Sequence, residues 1–255
     1  MVTTAVAPAP GGDEPAKIGA MGRVFGVLFS PGETFADIAR KPTWVPALLL
    51  LVIVNLAFNA VLANRVDWRV VAQQQVEKSK FAARQFEGLS DDKKEEAFAR
   101  QGMIQKYTRY AAGIFAMPVL ALIGSVVYML AFNIFGGAGA KYKDAFCLAC
   151  FAHIPMALHD LLGIPIALLK DPAAINPQNV VASNVGALLG TSAPLWQQGL
   201  ATSIDVFGIW CMILVAIAFT AFNPRKLTLG KSIGIVIAVW AFFAIIGTGI
   251  AFAFS

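Results

Sequence analysis

The sequence predicts an all-α polytopic integral membrane protein with five transmembrane helices, and three observations support this fold class. Hydrophobic residues make up 58% of the 255 residues and charged residues only 14%, whereas about one quarter of a soluble domain is charged. The mean hydropathy is +0.68. Five apolar stretches also reach the length of about 20 residues that a helix needs to cross a bilayer. Each is predicted to be a helix, because a spanning segment must satisfy its own backbone and no barrel pattern is present.

The N-terminal region precedes the first apolar stretch. Residues 1–20 are rich in Ala, Pro and Gly and predict a disordered tail without the apolar core of a signal peptide. Residues 21–43 predict two cytoplasmic interfacial helices. Before Ser30, apolar residues recur at helical spacing with Arg23 on another face, which is typical of a helix in the membrane plane; they are Ile18, Met21, Phe25, Leu28 and Phe29. The motif Ser30-Pro31-Gly32-Glu33 predicts the start of the second helix. Ser30 would be the N-cap, Pro31 would occupy the first helical position, and the Glu33 side chain would reach back to the cap.

The membrane domain is predicted to occupy residues 44–255. Its five spans are predicted at 44–63, 110–135, 145–169, 203–222 and 232–254. The polar insert, residues 64–109, lies between spans one and two and is rich in helix formers. It predicts two helices that project from those spans, the second starting after Ser90 and running to about Gln101. Pro155, Gly163 and Pro165 are expected to interrupt span three.

Basic residues near the span ends predict the orientation of the chain. Nine of them mark one side as cytoplasmic: Lys17, Arg23, Arg40, Lys41, Lys141, Lys143, Arg225, Lys226 and Lys231. The polar insert conflicts with this assignment. It is placed on the extracytoplasmic side, yet it carries ten Lys and Arg residues as well as seven Asp and Glu residues. Five spans fix the alternation, so we expect a cytoplasmic N-terminus and an extracytoplasmic C-terminus. The first span is then an uncleaved signal anchor, and the absence of glycosylation sequons favours a bacterial inner membrane.

Four motifs follow one another in a recognisable order. They are Phe29-Ser30-Pro31-Gly32-Glu33-Thr34-Phe35 before span one, Gly136-Gly137-Ala138-Gly139 after span two, Phe151-Ala152-His153-Ile154-Pro155 in span three, and Ile204-Asp205-Val206-Phe207-Gly208-Ile209-Trp210 at span four. With these motifs and five spans, residues 20–255 resemble the Yip1 domain family of polytopic membrane proteins, and the polar insert looks like that of bacterial members. The resemblance implies five helices, a cytoplasmic N-terminus and no catalytic residues. Eukaryotic relatives act in vesicle transport with small GTPases and other family members.

Four polar residues in the outer half of the membrane are candidate functional residues: Asn59, His159, Asp160 and Asp205. An ionisable group in a span costs about 2.5–3.5 kcal/mol on insertion scales and indicates function by default. One interpretation is a single polar cluster that acts as a proton or cation site, with a carboxylate holding an imidazolium. The other interpretation is structural, with Asp205 capping a helix. Asn55 shares a helix face with Asn59, and two roles are open to both, a hydrogen bond to another helix and helix packing, of which packing is favoured.

No catalytic, cofactor-binding or metal-binding residue is predicted. Cys147 and Cys150 have redox spacing but lie in an apolar span, where cysteine behaves as a small hydrophobe. His153 and His159 point to different helix faces, and no four-ligand metal set is visible. Nucleic acid is excluded as a partner, because the basic residues flank apolar spans and form no basic patch.

Three function classes remain from the sequence, and the third, a membrane enzyme, is disfavoured because no nucleophile–base set, metal set or cofactor motif appears. The first is a non-enzymatic scaffold or adaptor in the lipid bilayer, which binds protein partners through its cytoplasmic N-terminus or its polar insert, with homo-oligomerisation left open. The second is a small-solute or ion transporter that uses His159, Asp160 and Asp205. No cofactor is expected for either function.

Overall fold

A computed structural model describes residues 18–78, 80–189 and 193–253. The predicted tail, residues 1–20, therefore lies almost wholly outside the described residues. Within those ranges the secondary structure is helical without a strand, apart from one isolated bridge between Asn184 and Asp205. In chain order the α-helices are α1 Ala20–Phe29, α2 Pro31–Arg40, α3 Val45–Arg65, α4 Trp68–Lys78, α5 Lys80–Phe86, α6 Asp91–Ala131, α7 Tyr142–Ala152, α8 Ile154–Leu169, α9 Leu195–Thr202, α10 Val206–Phe222 and α11 Leu229–Ala253.

Among the described residues, four helical stretches are long and apolar enough to cross a membrane. They are Val45–Arg65, Asp91–Gly136, Tyr142–Leu169 and Leu229–Phe252. The remaining predicted span, 203–222, corresponds to α10, an apolar helix of 17 residues. That length is at the short end of the range of about 17–25 residues found for spans. The predicted fold class, a polytopic all-α membrane protein, is confirmed.

Span three contains a break at one position. His153 ends α7 with φ −91° and ψ 4°, immediately before the Ile154-Pro155 pair that starts α8. Pro155 is tolerated at the beginning of α8 because the first-turn N–H groups of a helix have no intrahelical partner. Gly163 and Pro165 lie inside α8, so the prediction that they interrupt the span is wrong.

The chain divides into two compact units. The first consists of Met1–Leu49, Leu120–Ile154 and Cys211–Val239. In its described part, α1 and α2 pack on each other and on α7, and they bury Val24, Val27, Phe35 and Ile38. This pair, α1 and α2, is the N-terminal collar. Burial of one apolar face on each helix holds the collar to α7.

The break between the collar helices differs from the prediction in one detail. Pro31 does occupy the first turn of α2, but Ser30 makes no side-chain cap hydrogen bond. Its φ of −140° and ψ of 58° lie outside the extended region that capping residues adopt. The Ser30 carbonyl instead accepts a hydrogen bond of 2.8 Å from the Thr34 hydroxyl.

The glycine-rich turn after α6 is held by side chains of the first unit. Gly137 and Gly139 both have a φ of +67°, a conformation that glycine adopts without steric cost. Asn133 closes the turn with two hydrogen bonds of 2.9 Å to the backbone of Ala140. Asn223 donates to the Ala138 carbonyl at 2.9 Å. The predicted tight turn is therefore present and ordered by its own hydrogen bonds.

The second unit consists of Leu50–Val119, Pro155–Trp210 and Trp240–Ser255. One of its apolar clusters joins α3, α4, α8 and the loop after α8 through Phe58, Leu62, Val66, Trp68, Ala167, Ile175 and Val180. A second cluster joins α3, α6 and α8 through Leu51, Val54, Met117 and Ala157. The polar insert also belongs to this unit.

The second helix of the polar insert is continuous with span two. The helix α6 starts directly after Ser90, as predicted, but it runs for 41 residues to Ala131. The predicted end near Gln101 is wrong, because Gly102 is held within the helix by close packing. A Cβ on Gly102 would lie 2.9 Å from the Arg69 backbone nitrogen, so this glycine serves a close approach to α4 rather than a helix end.

Candidate functional site

The Asp160 cluster consists of Asn55, Asn59, His159 and Asp160 in the second unit. The Asp160 side chain is buried, with the residue only 4% exposed. Asn55 donates from Nδ2 to Asp160 Oδ2 at 2.7 Å, and His159 Nδ1 lies 3.0 Å from Asp160 Oδ1. Asn59 donates to the Asn55 carbonyl at 2.9 Å. Of the four predicted residues, His159 and Asp160 therefore contact each other, and Asn59 joins them only through the backbone carbonyl of Asn55.

Helices α3 and α8 position the Asp160 cluster. Asn55 and Asn59 are four residues apart on α3, so they lie on one face of that helix. The aromatic rings of Phe58 and Phe207 contact His159 edge-on, with centroid distances of 6.1 and 5.4 Å. The imidazole is thereby placed between two rings while Nδ1 faces the carboxylate.

One atom of the Asp160 cluster has no partner. Asn55 is 7% exposed, and its Oδ1 is buried without a hydrogen bond among the described residues. A buried polar atom without a partner costs about 1–3 kcal/mol. Sequence reasoning favoured helix packing for Asn55 over a hydrogen bond to another helix, and the structure has that hydrogen bond, to Asp160. The signal was present, because an asparagine one turn from Asn59 in an apolar span marks a polar face.

The hydrogen bonds of Asp205 join it to residues outside the Asp160 cluster. The Ser183 hydroxyl donates to Asp205 Oδ2, and the Gly208 backbone N–H donates to Asp205 Oδ1 at 2.9 Å. Among the described residues it hydrogen-bonds to none of the other three predicted site residues. Since α10 begins at Val206, the contact with Gly208 is that of a helix cap, which is the structural alternative predicted for this residue.

The polar insert is a braced helical module. Gln105 donates to Gln75 at 2.9 Å, and Arg69 forms an ion pair with Glu95. Phe86 stacks on Phe98, with ring centroids 4.9 Å apart. These contacts join α4 and α5 to the first part of α6. The charged side chains nearest the start of α6 remain exposed, including Asp92 and Glu96.

The base of the polar insert is anchored to the rest of the second unit. The Arg109 guanidinium lies 5.2 Å from the centroid of the Trp68 ring, a cation–π geometry. Arg65 donates to the carbonyls of Leu168 and Lys170 at 3.1 and 3.0 Å, where α8 leaves carbonyl groups without intrahelical partners. Two of the basic residues of the insert are thus committed to structural contacts.

The N-terminal collar has two apolar faces. One face is packed, and it includes Val24 and Val27. The opposite face presents Met21, Phe25 and Phe29, all exposed, at the spacing of one helix stripe. Arg23 is buried rather than flanking the helix in solvent, because it pairs with Asp37 at 2.8 Å.

No group of three or more His, Cys, Asp or Glu side chains that could hold a metal ion occurs in the described residues. The long apolar helices and the polar residues inside them define a polytopic all-α membrane protein. A comparison with protein-family models matches residues 25–251 to the Yip1 domain, which covers nearly the whole chain. The chain therefore belongs to the Yip1 domain family. No match was found among curated proteins or among solved structures.

Proposed function

We propose that this protein is a non-enzymatic membrane scaffold or adaptor that docks protein partners through its polar insert. The braced geometry of the insert is the observation that supports this function. The part of α6 from Asp91 to Arg109 measures about 28 Å along its axis and is held by α4 and α5. A surface that is already ordered loses less conformational entropy on binding than a loose loop.

The proposal includes an orientation in a bacterial inner membrane, with the N-terminal collar in the cytoplasm and the polar insert outside. The structural contacts of Arg65, Arg69 and Arg109 support it. They supply a reason for the basic residues of the insert that is independent of topology. The exposed apolar stripe of α1 suits the cytoplasmic surface of the bilayer.

Photo-crosslinking tests the docking function. A photoreactive residue is introduced at Glu96 in the full chain, and adducts from native membranes are identified by mass spectrometry. The matched control carries the same residue at Ile123, which is 61% exposed and lies within span two. We expect reproducible protein adducts from position 96 and lipid adducts from position 123. The same protein adducts from both positions, or none from position 96, would contradict docking.

The second candidate function is transport of a small solute or ion. The buried carboxylate of Asp160, held by Asn55 and His159, favours it, since ionisable groups inside a span often lie on substrate or ion pathways. The test is flux in proteoliposomes, where Asp160→Asn should abolish a flux that the wild type shows. Absence of wild-type flux over a broad panel of solutes would contradict transport.

A further inference from the structure

We propose that the Asp160 cluster binds one monovalent cation inside the membrane domain. The site would consist of the Asp160 carboxylate and the Asn55 side-chain oxygen. This inference deepens the transport candidate by naming the chemical class of its ligand. It is independent of docking through the polar insert.

The charge of Asp160 is the first argument. Among the described residues its side chain contacts only Asn55 and His159, and Asn55 is neutral. An ionised Asp160 carboxylate would therefore have no Lys or Arg counterion among its hydrogen-bond partners in the described residues. Such a charge costs several kcal/mol in a low-dielectric interior. A cation bound beside Asp160 removes that cost.

The unpartnered oxygen of Asn55 is the second and independent argument. Asn55 Oδ1 belongs to the same amide group whose Nδ2 contacts Asp160, so it lies close to the carboxylate. It is an acceptor with free lone pairs and no hydrogen bond. Carboxylate and amide oxygens are the ligands that hard cations take in proteins. A cation that contacts both the carboxylate and Asn55 Oδ1 would satisfy both the charge and the orphaned acceptor.

The number of carboxylates determines the charge of the ligand. Asp160 supplies one negative charge, and no set of three potential metal-ligating side chains occurs in the described part of the chain. A divalent ion would leave one positive charge uncompensated in the interior, and Ca²⁺ takes about six to eight oxygen ligands. A monovalent cation leaves the occupied site neutral.

The surroundings of the His159–Asp160 pair add no further charge. The other recorded neighbours of His159 are the rings of Phe58 on α3 and Phe207 on α10. Asn55 faces Asp160 from α3, and Gly113 of α6 lies against Asn59. No other titratable side chain in the described residues hydrogen-bonds to the pair, which leaves a bound cation to balance the carboxylate.

Equilibrium binding of radioactive Na⁺ to the purified full chain in detergent tests the proposal. Choline replaces sodium to keep the ionic strength constant. We expect saturable binding of one Na⁺ per chain. Asp160→Asn should abolish binding, and Asn55→Ala should weaken it about tenfold, which corresponds to about 1.4 kcal/mol.

The controls separate a ligand site from a structural one. Asn64→Ala removes an exposed asparagine of the same helix, which contacts Ala60 and Tyr110, and should leave Na⁺ binding unchanged. If Asp160→Asn does not fold, Asn55→Ala still decides the question. No saturable binding by the wild type, or wild-type binding by folded Asp160→Asn or Asn55→Ala, would overturn the proposal.

Discussion

Arg23 and Asp37 form a buried ion pair within the N-terminal collar. Arg23 Nη2 lies 2.8 Å from Asp37 Oδ2, and the two side chains are only 2% and 5% exposed. The same guanidinium donates to the Lys41 carbonyl and the Thr43 hydroxyl at 3.0 and 2.7 Å. One side chain therefore ties α1 to α2 and to the segment that leads into α3.

Removal of Arg23 should strongly destabilise the collar. Arg23→Ala removes the guanidinium that pairs with the buried Asp37 carboxylate, so we expect the free energy of unfolding to fall by about 3–5 kcal/mol. Arg23→Lys should also destabilise, because one ammonium group cannot reproduce the planar set of donors. Denaturant unfolding of the detergent-solubilised protein, followed by circular dichroism, measures both changes.

A double substitution provides the control for this pair. Arg23→Met with Asp37→Leu removes both charges and keeps apolar volume, so it should cost less than Arg23→Ala alone. A double variant as unstable as the sum of its single variants would show that the pair does not act as a unit.

Gly163 should be intolerant of a side chain. A Cβ at this position would lie 2.5 Å from Cε2 of Phe58, a ring that is itself buried in an apolar cluster. We expect Gly163→Ala to lower the free energy of unfolding by about 1–3 kcal/mol through overpacking. Thermal unfolding in detergent measures the effect.

Gly249→Ala is the matched comparison in another helix. A Cβ there meets nothing within 4 Å, so helix propensity should dominate and stabilise by about 0.5–1 kcal/mol. Effects of the same sign for Gly163→Ala and Gly249→Ala would contradict the packing of Gly163 against Phe58.

The proposed orientation predicts opposite accessibility for two exposed positions. Ser90→Cys in the polar insert should react with a membrane-impermeant maleimide added to intact spheroplasts. Lys143→Cys at the start of α7 should react only after permeabilisation. The native Cys147, Cys150 and Cys211 are buried, so they should give little background. The reverse labelling pattern would place the insert in the cytoplasm.

The fold was predictable because apolar length and helical spacing are local properties of the chain. The continuous helix that joins the polar insert to span two was not predictable. A glycine such as Gly102 is typical of a helix end, and only its packing on α4 explains why the helix continues through it. Arg23 was interpreted as a surface charge for a similar reason. Its partner Asp37 meets it only after the chain reverses at Ser30.

The candidate site was predictable in part. His159 and Asp160 could be identified from the sequence because they are two adjacent ionisable residues within an apolar span. The hydrogen bond between Asn55 and Asp160 joins residues 105 positions apart in sequence. No local pattern predicts that Asp160 contacts Asn55 rather than Asn59. The Asp205 carboxylate accepts hydrogen bonds from Ser183 and from the backbone of Gly208. Sequence spacing alone does not show whether Asp205 makes these contacts or joins the Asp160 cluster.

The proposed docking through the polar insert would use its exposed charged face, where Asp92 and Glu96 lie one turn apart. The most direct measurement compares chemical crosslinks to partner proteins in native membranes for wild type, Asp92→Lys with Glu96→Lys, and the charge-keeping pair Asp92→Glu with Glu96→Asp. The account predicts that the charge-keeping pair retains the wild-type partners and that the reversal loses them, with equal amounts of folded protein. Unchanged partners in the reversal variant, or no reproducible partner of the wild type, would contradict it.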